Sequence, residues 1–68
     1  MGYQFYIEVD GNFDSRKLYE LLESFGVNMV AAEGKVWIYG AAKHSDLGRI
    51  VQICAKFGKL NATIEEVV

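Results

Sequence analysis

Three large rings stand where an extended chain would group them. Tyr6 lies in one short alternating run and Trp37 and Tyr39 in another, with Lys35 two positions before the tryptophan. A period of two puts Lys35, Trp37 and Tyr39 on one side of a strand. Rings presented together on an uncovered surface can stack on a base, close over a small molecule or bury themselves against a protein. A second place for chemistry is the loop Asp10 to Ser15, which leads into a helix whose first N–H groups could receive an anion or a carboxylate. Asp14 competes for those donors as an N-cap of that helix.

The remaining reactive side chains are isolated. His44 is the one histidine, and a base beside Asp46 could do acid–base work, yet no nucleophile, second base or metal-ligand set lies at useful spacing. The expectation is a solvated surface histidine. Cys54 falls between Ile50 and Phe57 on an apolar helical stripe, as a buried structural thiol would. The glycines spell neither G-x-x-x-x-G-K-[ST] nor G-x-G-x-x-G. These residues predict no enzyme, no cofactor and no metal.

Composition narrows the partners. With 68 residues there is room for one domain over residues 1–68, burying about 60% of its unfolded surface. Domains this small often gain stability by oligomerising. The net charge is −2, and the basic residues are scattered among acids, which argues against a phosphate-binding surface. One cysteine excludes an internal disulfide and suits a reducing compartment. With neither a signal-like segment nor a spanning apolar run, the expectation is a soluble cytoplasmic protein without membrane contact.

The elements that would position the rings follow from periodicity. Tyr3 to Val9 alternates as a half-buried strand, with Tyr3, Phe5, Ile7 and Val9 inward. Asp14 caps a first helix, Phe13 and Leu18 form a hydrophobic staple, and Leu18, Leu21, Leu22 and Phe25 make its apolar stripe before Gly26. Val27 to Gly40 is a hairpin turning at Glu33-Gly34, so that Ala32 pairs with Lys35. Its core face holds Val27, Met29, Ala31, Val36, Ile38 and Gly40; its other face holds Asn28, Val30, Ala32, Lys35, Trp37 and Tyr39. Ser45 caps a second helix with Leu47, Ile50, Val51, Cys54 and Phe57 inward, closed by Gly58 as Gly26 closes the first. Gly48 is a weak point inside it, with close packing against the sheet as one reason for its presence. Leu60 to Val67 is a last strand with Leu60, Ala62 and Ile64 inward.

The order β-α-β-β-α-β reads as a faint duplication, with Ser24-Phe25-Gly26 beside Lys56-Phe57-Gly58. Right-handed crossovers then give an α+β ferredoxin-like two-layer sandwich, its four-stranded antiparallel sheet in the order 4-1-3-2 with both helices on one face. The other face is left open. On it lie Tyr6, Val30, Lys35, Trp37 and Tyr39, rimmed by Gln4, Glu8, Asn28, Thr63 and Glu65. An apolar patch of this kind marks an interface.

Three families share this topology. RNA-recognition motifs stack bases on aromatics of strands one and three. Here Lys35-Val36-Trp37-Ile38-Tyr39 departs from their basic Gly-aromatic signature, and Glu8 and Glu65 repel phosphate, so nucleic acid is disfavoured. The chain resembles heavy-metal-associated domains in size and hairpin length, but Gly11 to Ser15 lacks their Cys-x-x-Cys. Phe25-Gly26-Val27-Asn28-Met29 is similar to the Gly-(Ile/Val)-Asn entry of ACT-type amino-acid-binding modules, and Asp10-Gly11 stands where their loop has an acidic residue and a glycine; the loop's proline is missing. That resemblance implies a small-ligand pocket lined by Asp10, Gly11 and Asn12 at a dimer interface. Acylphosphatase-like catalysis would want an arginine in the first loop, and only Arg16, inside the helix, is near. The leading expectation is a non-catalytic interaction module that forms a homo-oligomer or binds a protein partner through the open sheet. An ACT-like domain for a small-molecule ligand, then a single-stranded RNA binder, are the alternatives.

Overall fold

Strand β1 (Gly2–Asp10) lies inside the sheet, paired from Tyr3 onward with one neighbour and along its whole length with the other. In the computed structural model, which describes residues 2–67, those neighbours are β3 (Lys35–Ala42) and β4 (Lys59–Val67). Strand β2 (Asn28–Ala32) completes an antiparallel sheet of order β2-β3-β1-β4, the order expected from the sequence. Helices α1 (Ser15–Leu22) and α2 (His44–Ala55) make the second layer, and the arrangement is ferredoxin-like. Among the described residues no helix is long and apolar enough to cross a membrane.

The hairpin register is the one the turn dictates. Ala32 pairs with Lys35, Val30 with Trp37 and Asn28 with Tyr39, while Gly34 takes a φ of 79° that a side chain would disfavour. Alternation then sends Val36 and Ile38 into the core and Trp37 and Tyr39 to the other side. Phe5, Ile7 and Val9 meet Leu18 and Leu22 of α1 and Leu47, Ile50 and Cys54 of α2 in one buried cluster. Burying each of the Phe, Leu, Ile and Val side chains here is worth about 1.5–3 kcal/mol, and together they hold the helices to one face.

Helix α1 begins as expected: Asp14 Oδ1 accepts from the Arg16 N–H at 3.0 Å. It is shorter than its apolar pattern, because Glu23–Phe25 tightens into a 3-10 turn before Gly26. Leu21, expected in the buried stripe, is 53% exposed. The stripe is carried by Leu18 and Leu22, four residues apart, and Leu21 sits beside the seam with α2.

Helix α2 departs from its expected ends. Its N-cap is Lys43, whose side chain makes no capping bond, so Ser45 lies within the first turn. His44 opens the helix and rests its ring 5.8 Å from that of Tyr3, so it is exposed but not simply solvated. Gly58 lacks the positive φ of Gly26. It is required for a different reason: a Cβ there would run into the Asp10 carbonyl where the last loop crosses the end of β1. Gly48 is exposed, and a Cβ on it would meet nothing within 4 Å, so it does not serve close packing.

On the helix side the edge strands are poorly covered. Ala31 of β2 is exposed, and so are Ala62 and Ile64 of β4, although the last two align with Ile7 and Phe5. Short helices over the central strands do not reach the sheet's margins. Phe13 packs edge-on against Phe57, ring centres 5.4 Å apart, which closes the end of the core instead.

Candidate functional site

Pairing registers set the open face out as a grid. One row runs Val30, Trp37, Glu8, Asn61 across the four strands, and the next runs Asn28, Tyr39, Tyr6, Thr63. Above them stand Ala32, Lys35, Asp10 and Lys59; below them Ala41, Gln4 and Glu65. Val30, Trp37, Tyr39 and Tyr6 therefore form one contiguous patch over β2, β3 and β1. Tyr6 is 49%, Val30 50% and Tyr39 39% exposed, while Trp37 and Lys35 are half-buried.

Two sets of contacts fix the patch. The Tyr6 and Tyr39 rings lie across the β1–β3 pair with centres 6.2 Å apart and planes tilted by 32°. The Trp37 indole N–H donates to Glu8 Oε2 at 3.1 Å, directly across the same pair of strands. Lys35 Nζ lies 3.8 Å from that oxygen. The indole bond is charge-assisted and partly shielded from water, so it carries more than the exposed lysine pair, which is worth well under about 1 kcal/mol. That bond orients the indole within the chain, a pre-organisation that would reduce the ordering cost of any encounter on this face. Tyr6 stacks beside Tyr39, and not on Trp37 as cross-strand aromatic pairing also allowed.

The loop residues lie at the far end of the grid. Gly11 gives its N–H to the Gly34 carbonyl at 3.1 Å, and the Arg16 N–H is taken by Asp14. One donor of the loop and one of the helix's first turn are thus used within the chain. Asp10 faces the open side between Lys35 and Lys59, and Asn12 is exposed. Beside Asp10 is a shallow depression of about 270 Å³ lined by Glu8, Asp10, Lys59, Leu60 and Asn61. It joins acidic, basic and amide groups in one place. Of the expected loop residues Asp10 lines it and Gly11 and Asn12 do not, so Asp10 alone shares a surface with the aromatic patch, linked through Glu8.

Reasoning from the sequence placed Tyr6, Val30, Lys35, Trp37 and Tyr39 on this face but put Glu8 only at its rim. Glu8 is central, because its partner is known only once β1 and β3 are in register. Of the other reactive groups, Cys54 is fully buried and burial pushes its thiol up to about 11. Among the described residues no cluster of three metal-ligating side chains occurs. No protein-family model matches this chain, and no curated protein matches it.

Proposed function

We propose that this protein is a small non-catalytic interaction module that self-associates, or binds a protein partner, through the open face of its sheet. The observation that carries the reading is the contiguous patch of Tyr6, Val30, Trp37 and Tyr39 on a face that no helix covers. Its anatomy suits an interface: aromatic centre, polar rim of Gln4, Asn28, Lys35 and Glu65, and one pre-oriented tryptophan. Buried aromatics dominate the energetics of such contacts and rim charges add little. The reducing cytoplasm, where Cys54 remains a thiol, is the compartment this reading assigns. Trp37→Ala should weaken the association by about tenfold or more, and Lys35→Ala by about twofold at most, in light scattering over a concentration series. Equal effects, or none from Trp37→Ala, would sink the proposal.

A second reading rests on the depression beside Asp10. Carboxylates at Glu8 and Asp10 opposite the Lys59 ammonium suit a zwitterion, in keeping with an ACT-like amino-acid-binding domain. Thermal unfolding with a panel of free amino acids is the check. A shift with one of them, abolished by Asp10→Asn, supports this reading, and indifference to all of them rejects it.

A further inference from the structure

Strand β4 is an edge that the fold leaves uncovered in two directions. It runs nine residues in unbroken register with β1 and contains neither proline nor bulge. Its outer margin pairs with no strand among the described residues, whereas the opposite edge, β2, is only five residues long. A long straight edge is a template for another strand. On its helix side Ile64 stays 47% exposed, although it aligns with buried Phe5, and neighbouring Ala62 is exposed as well. Inward-facing apolar groups at an unpaired edge call for cover.

The sequence of β4 identifies a suitable cover, because it complements itself. We propose that β4 pairs antiparallel with β4 of a second copy about a two-fold axis at Ala62, joining two four-stranded sheets into one. In that register Lys59 lies opposite the partner's Glu65 on the open face, twice over by symmetry. Asn61 faces the partner's Thr63 on that same open face, and on the helix face Leu60 lies opposite the partner's Ile64. Opposite charges and apolar groups directly across a pair are the stabilising unit of a sheet. Other registers do worse. An axis at Thr63 sets Glu66 against Leu60 and Glu65 against Asn61. One at Ile64 leaves Lys59 beyond the paired segment, and one at Asn61 leaves Ile64 without a strand residue opposite. The isologous contact is closed, so it yields a dimer and no fibre. It also leaves the aromatic patch free; Glu65 borders both surfaces, so the cross-link through Ala62 is what tells the two contacts apart.

The test uses the whole chain in sedimentation equilibrium, over a series reaching about millimolar concentration. Glu65→Lys sets two pairs of lysines opposite each other and should raise the dimer dissociation constant about tenfold, while adding Lys59→Glu should restore it to within about threefold. Ala62→Cys supplies a second readout. Residues opposite one another in an antiparallel pair have Cα atoms about 4.5–5.5 Å apart, within disulfide range, so oxidised glutathione should link two copies. Cys54 is buried with its thiol pushed up to about 11, which keeps it out of the reaction. A contact between open faces would leave both Ala62 side chains on the outer, helix-bearing sides and give no link. A monomer at every concentration overturns the proposal. So does a dimer that ignores Glu65→Lys and does not cross-link through Ala62→Cys.

Discussion

At the scale of single residues, the account turns on what fixes each side chain. Trp37 is useful to an interface because Glu8 pins its indole edge, and Tyr6 and Tyr39 support each other beside it. The ring types and their alternation were legible in the sequence, and so was the face they occupy. The Glu8 partnership was not, since it depends on a register between strands far apart in the chain. Gly58 gives a similar lesson. In sequence it resembles Gly26, but its constraint is the Asp10 carbonyl lying where a Cβ would go, and not a positive φ. Backbone cannot yield as a flexible side chain can. Gly58→Ala should therefore cost about 2 kcal/mol or more, measured from the urea midpoint. A loss of only a few tenths would show that the loop moves aside freely.

At the scale of elements, local signals placed the helices and strands well and misjudged their margins. Asp14 announced α1, and Glu33-Gly34 fixed the hairpin, because each acts through neighbouring backbone. Ser45 is as good a capping type as Asp14, yet α2 starts at His44, whose ring meets Tyr3. That contact joins an element to a strand and leaves no local trace. Ala62 and Ile64 alternate like core residues, but their burial depends on helix reach, which periodicity does not report. Gly48 is explained by neither capping nor packing. A methyl group there would meet nothing, so Gly48→Ala should raise stability by about 1 kcal/mol through helix propensity and a less flexible unfolded chain. In a chain of this size that is a rise in Tm of about 4–8 °C. Destabilisation would mean that this helix surface is already occupied.

At the scale of the molecule, two surfaces carry the functional argument. The sheet order and the one-sided helix layer follow from element order and crossover handedness, so the existence of an open face was legible in the sequence. The sequence could not show how the face divides. Its aromatic patch spans β2, β3 and β1, the charged depression lies between β1 and β4, and the unpaired edge runs along β4. This geometry separates association through the face from association through the edge, and the cross-link through Ala62 tells them apart.

The central claim is that the open face becomes buried when the protein associates. Trp37 is the only tryptophan and lies within the patch, so its emission reports that burial directly. Emission and acrylamide quenching should be followed on dilution, with the mass measured in parallel by light scattering. The account predicts blue-shifted, protected emission in the associated form, shifting red and becoming quenchable as the mass falls. If the mass falls all the way to that of a monomer with no change in emission or quenching at any step, the contact lies elsewhere and the claim is contradicted.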